Sequence, residues 1–143
     1  MYLKQLAILP LLGLLYSSLE ATRVTSFSDL VRGGKPAMSA FQDTINAHKF
    51  VVLKCSMKNC APCKKIAPQF EALATKYSQS AEFIEVDIHL FDDVIRPYTI
   101  KKAPSFIIFY KGRHLLTLRG SESINQIASA LDTQLHLENA AAA

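Results

Sequence analysis

The chain has no tryptophan, and its 143 residues include only five glycines, six prolines and three cysteines. So little Gly and Pro, without any period, excludes a collagen-like or low-complexity chain, and an apolar share of half the residues excludes a disordered one. A single domain of this length can bury enough surface to fold without covalent help, so the cysteines are not needed as a structural staple. Acidic residues are the scarcer sign, 12 against 16 basic, leaving +4. That surplus forms no Arg/Lys stripe interleaved with aromatics, so nucleic acid is not indicated as a partner. The sequence also lacks a Gly-rich phosphate loop and a Ser/His/Asp arrangement.

A membrane-spanning run is absent from the N-terminus as well. Lys4 gives a short positive start, residues 6–16 are almost unbroken apolar, and residues 17–21 turn small and polar. A spanning helix needs roughly 20 apolar residues, so the shorter run matches a secretory signal peptide rather than an uncleaved anchor. We expect cleavage near Ala21, leaving one domain over residues 22–143 and no stable membrane insertion. Cleavage would remove Lys4 and Glu20 together and keep the charge at +4. An exported, periplasmic or secreted protein meets conditions in which disulfides form.

Hydrophobic spacing then marks the elements. Met38, Phe41 and Ile45 predict a helix over 36–48, after a turn at Gly33, Gly34 and Pro36. The β-branched apolar run 50–55 predicts a buried strand. Ile66, Phe70, Leu73 and Tyr77 place one stripe on a helix starting near Cys60, with Pro68 inside it as a kink. Strands are predicted over 83–88 and 105–110, with a short helical stretch over 91–98 between them. Lys111-Gly112 turns into a further strand over 115–118, forming a hairpin. Ser123 with Gln126 has the spacing of a capping box, opening a helix that buries Ile124, Ile127, Leu131 and Leu135. Residues 24–34 carry only a weak pattern. Alternating strands and helices ending in a hairpin predict an α/β fold, a mixed sheet covered on both faces.

The three cysteines crowd between positions 55 and 63, and an odd count leaves one thiol over from any intramolecular disulfide. Cys60-Ala61-Pro62-Cys63 lies between the predicted strand and the start of the amphipathic helix. Free amides and the positive end of the helix dipole there would stabilise a Cys60 thiolate. Cys63 is within reach across one turn, and Pro62 sits where a helix tolerates a missing N–H. A bare C-x-x-C is open to a redox-active pair, metal ligands or accident. Cys55 falls in step with Val51 and Leu53, as a small apolar core residue would. A three-cysteine metal site with His48 or His89 is conceivable, but the fourth cysteine of plant-type iron–sulfur ligation does not exist.

Context resembles the thioredoxin family from about Met38 to Leu135. The redox motif stands as Cys60-Ala61-Pro62-Cys63, followed by Lys64-Lys65-Ile66-Ala67-Pro68, where the family's helix proline is expected. Ala103-Pro104 before Ser105-Phe106-Ile107-Ile108-Phe109 looks like the family's cis-proline, 44 positions after Cys60, and Phe109-Tyr110-Lys111-Gly112 and Gly120 are similarly placed. The resemblance implies a three-layer α/β/α sandwich with a central mixed sheet, and a thiol–disulfide oxidoreductase. Cys60 would be the exposed nucleophile and Cys63 the resolving thiol. Pro104 and Ala103 would shape the substrate groove, with Ala61 and Pro62 forming the motif loop. The implied partners are proteins bearing thiols or disulfides and a separate redox partner; no organic cofactor is implied.

Two departures stand out. The family's buried acid on the strand before the motif falls at Lys54, and its basic partner on the next strand at Glu85, so the pair is charge-reversed. Lys54 either lies beneath the motif and tunes proton transfer with Glu85 or snorkels to solvent without effect. Lys58, Lys64, Lys65, Arg96, Lys101 and Lys102 add positive charge, which predicts a stabilised thiolate and a more oxidising disulfide. The aromatic before the first cysteine is replaced by Asn59. Two other functions are compatible with the residues, a redox-inert binding module of the same fold and a Cys-ligated metal-binding protein.

Overall fold

A computed structural model describes residues 23–143; the expectation of a signal peptide over residues 1–21 falls outside the described residues. Twelve short elements build a five-stranded sheet with helices on both faces. The strands are β1 (Val24–Ser26), β2 (Phe50–Ser56), β3 (Ala81–Asp87), β4 (Ser105–Tyr110) and β5 (Arg113–Arg119). The helices are α1 (Phe27–Leu30), α2 (Ala37–Ala47), α3 (Ala61–Lys76), α4 (Asp92–Ile95) and α5 (Ile124–Ala142), with 3-10 turns at Arg96–Tyr98 and Ser121–Ser123. Sheet order is β1-β3-β2-β4-β5, with β1, β3 and β2 parallel and β4 and β5 antiparallel.

Strand alternation divides the core in two. Phe50 and Val52 face α3 and α5 and pack with Ile66, Phe70, Ile127 and Leu131. Val51, Leu53 and Cys55 face the other way, onto Phe27, Phe41, Ile45, Val94 and Ile95. A central strand buried on both faces reads as a continuous apolar run, which is why β2 was visible in the sequence.

The differences from expectation are local. β1 and α1 occupy the segment of weak pattern: three residues of edge strand carry too few side chains for a period, and β1 exists because β3 supplies its ladder. Met38 stands 40% exposed, and Ala40 takes the core position beside Phe41 and Ile45. The capping box does not form. Ser123 is already helical in its backbone, and its hydroxyl donates to the Arg119 carbonyl at 2.6 Å, because the 3-10 turn before α5 redirects it. β5 begins at Arg113, as soon as the Lys111-Gly112 turn is complete, so polar residues open the strand.

The far end of α5 is tied to the sheet by charge. Glu138 accepts from Lys111 and Lys49 at 2.8 Å each, and Lys111 N–H donates to the Lys49 carbonyl. These two ammonium groups, Lys111 foremost, pull the Glu138 carboxyl down from its ordinary 4.5 to about 2. A depressed folded-state pKa contributes stability that is present above the unfolded value and lost as pH falls through the folded one. The melting temperature of Glu138→Gln should therefore lie below that of the parent at pH 7, with the gap closing between pH 4.5 and about 2. A gap independent of pH over that range would show that the carboxylate charge contributes nothing.

Candidate active site

β2 and β3 run parallel and end at the same edge of the sheet, and the chain leaving β2 there turns into α3 within four residues. Asn59 makes that turn in the left-handed region at φ 62°, which Asn tolerates better than most residues. Cys60 is the N-cap of α3, with Pro62 in the first turn. Its Sγ accepts the Cys63 N–H at 3.2 Å, and its carbonyl accepts the Lys64 N–H at 3.1 Å. Cys60 and Cys63 form a disulfide with Cα atoms 5.2 Å apart. An amide of the helix N-terminus thus points at the sulfur, where it also stabilises a thiolate after reduction. Pro68 lies inside α3, with no N–H to offer the preceding turn.

Residue exposure does not separate Cys60 from Cys63. In the oxidised pair Cys60 is 3% exposed and Cys63 5%, so the expectation of an exposed Cys60 is corrected: surrounding residues of the fold bury both. The helix geometry is what distinguishes Cys60. Cys55, the free thiol, is buried in the opposite core layer, and burial pushes it up to about 12, too high for a thiolate at neutral pH. Among the described residues no group of three or more His, Cys, Asp and Glu side chains is placed to hold a metal ion.

Pro104 stands immediately before β4, and the Ala103–Pro104 peptide bond is cis. Its carbonyl accepts the Gly120 N–H at 3.0 Å, bringing the end of β5 against the proline loop. A groove of about 700 Å³ follows, lined by Pro62 of the disulfide loop, Ala103 and Pro104, Lys101, Lys102 and Arg119. Thr99, a β-branched residue in the left-handed region at φ 55°, also lines it. Arg119 and Gly120 enter this site through the hairpin register, which sets Ser105 opposite Arg119. Gly120 could be singled out from sequence, but nothing local to Arg119 marks it.

Lys54 and Glu85 stand directly opposite in the β2–β3 register. Nζ and Oε2 are 3.1 Å apart, with the lysine side chain 4% exposed and the glutamate 42%. The other carboxylate oxygen accepts from Ser56 Oγ at 2.6 Å, and Nζ lies 5.3 Å from the centre of the Phe70 ring on α3. Lys54 therefore does not snorkel: it is held under α3, and Glu85 carries the pair toward solvent. Ser56 and Phe70 complete this set, and the sequence singled out neither as a partner of Lys54. Of the flanking cations, Arg96 is paired with Asp92, which compensates its charge. Lys58, Lys64, Lys65, Lys101 and Lys102 make no ion pair among the described residues.

The thioredoxin family model matches residues 35–133. Thioredoxin from Equus caballus is 39% identical over 85 residues, covering 58% of this chain and 80% of that protein. Thioredoxin-1 from Drosophila melanogaster is 28% identical over 74 residues, covering 52% and 69%. Among solved structures, a thioredoxin from Nicotiana alata superimposes with a TM-score of 0.65 over 81% of this chain and 96% of that one, at 22% identity, a likeness of fold.

Proposed function

The chain belongs to the thioredoxin family of thiol–disulfide oxidoreductases, and from that premise we propose that Cys60 is its attacking sulfur, Cys63 its resolving sulfur, and exported proteins its substrates. The carrying observation is the Cys60–Cys63 disulfide at the start of α3, beside the cis Ala103–Pro104 bond.

In the reducing direction, the Cys60 thiolate attacks one sulfur of a substrate disulfide. The substrate S–S bond breaks, a Cys60–substrate bond forms, and the departing substrate thiolate takes up a proton. Cys63, deprotonated, then attacks Cys60 Sγ, releasing the second substrate thiolate and leaving the Cys60–Cys63 disulfide. Two electrons pass to the substrate, and a separate dithiol partner must return them. Run backwards, the same steps oxidise a substrate dithiol. Ala103 supports substrate pairing: it is partly exposed, and its backbone N–H and carbonyl make no hydrogen bond among the described residues. An extended substrate segment could take them up as an added strand. The missing N–H of Pro104 leaves no competing donor beside the sulfurs. Ala61 and Pro62 form the bridge between the cysteines, and Lys54 with Glu85 tunes their proton transfers.

Turnover of insulin disulfides with dithiothreitol as reductant, run beside oxidative refolding of a reduced protein, tests the activity and its direction. Failure in both assays would defeat the reading. Export rests on the composition of residues 1–21, and N-terminal sequencing of the secreted protein should begin near residue 22; a start at Met1 would sink it.

A further inference from the structure

Several cations among the described residues are held in ion pairs, and others are not. Away from the disulfide, Arg32, Lys35, Lys49 and Lys111 hold carboxylates. Lys101, Lys102 and Arg119 are exposed, converge on one groove beside Pro62 and Pro104, and make no ion pair among the described residues. Among the described residues Glu122 is the only acid in the groove lining, and its carboxylate is folded back over Gly120. Unpaired like charges gathered in a concave, partly apolar site raise the local potential and the concentration of an oppositely charged ligand.

We propose that this groove selects acidic substrates: protein segments in which Asp or Glu residues flank the reacting cysteine, bound in extended form along the proline loop. The inference rests on the oxidoreductase reading and narrows its substrate class. Geometry sets the placement. Pro62 puts the disulfide loop at one side of the groove, and Arg119 lies opposite Ser105, one residue beyond the cis-proline. A substrate strand paired along Ala103 therefore passes Lys101 and Lys102 on one side and Arg119 on the other. Basic segments meet three cations against the single carboxylate of Glu122 and are disfavoured by the net positive field.

The test uses the full chain, pre-reduced, with three disulfides: two synthetic peptide disulfides identical except for Glu or Lys flanking the cysteine, and hydroxyethyl disulfide as a neutral reference. The Glu peptide should be reduced about tenfold faster than the Lys peptide at low ionic strength, and the ratio should fall toward one in about 0.5 M salt. The ratio should fall likewise in the triple variant K101Q/K102Q/R119Q. Using a ratio removes any common change in the thiol itself. Equal peptide rates in low salt, or a ratio unchanged in the triple variant, would overturn the inference while leaving the oxidoreductase reading intact. Only failure to react with hydroxyethyl disulfide as well would count against that reading.

Discussion

Cys63→Ser should accumulate as a covalent complex with its substrate, seen as a higher-mass band on a non-reducing gel that collapses with dithiothreitol. Cys60 keeps its place at the start of α3, where the amide of residue 63 still points at its sulfur, so the first exchange is retained. The serine hydroxyl does not attack a disulfide sulfur, and the mixed disulfide persists until an outside thiol resolves it. Cys60→Ser should form no such complex and lose insulin reduction to background. The two cysteines are equally buried in the oxidised state, so the asymmetry comes from the helix terminus rather than from access. A complex formed by Cys60→Ser and not by Cys63→Ser would reverse the assignment of roles.

The reduction potential should lie above about −270 mV, the value of a typical thioredoxin, and Lys54→Met should lower it by on the order of 30 mV. An ammonium held under α3, with little solvent around it, favours thiolate over thiol and so stabilises the reduced form. Met fills a similar volume against Phe70 without the charge. Glu85 loses its cation but keeps the Ser56 hydroxyl and substantial contact with water, so the melting temperature should move little. Glu85→Gln should shift the potential upward, since it removes the offsetting carboxylate. Opposite shifts from the two variants separate electrostatic tuning from a structural role, which would disturb stability in both. A wild-type potential at −270 mV, or one indifferent to Lys54→Met, would remove the charge-reversed pair from the mechanism.

Much of this was legible in advance where one local period or one short motif carried the signal. β2 and β4 are runs buried on both faces, α3 has a clean apolar stripe, and Cys60-Ala61-Pro62-Cys63 with Ala103-Pro104 marks the site. The illegible parts depend on neighbours that are remote in sequence. β1 is a strand because β3 completes its hydrogen bonds, and Ser123 donates to Arg119 because the turn before α5 brings that carbonyl within reach.

Composition and spacing determined the α/β class and the odd third cysteine, while the family resemblance of the motifs implied the exchangeable pair and the partnership of Lys54 and Glu85. The fold decided what each of these means. Sheet register brings Nζ and carboxylate into contact beneath α3, where a lysine free to snorkel would have no effect. Strand alternation sends Cys55 to the far layer of the core, out of the chemistry. The β4–β5 hairpin carries Arg119 back to the proline loop, turning a surplus of +4 spread along the sequence into a cationic groove beside the disulfide. A one-dimensional pattern records which side chains share a face; which faces meet is set by pairing across the sheet.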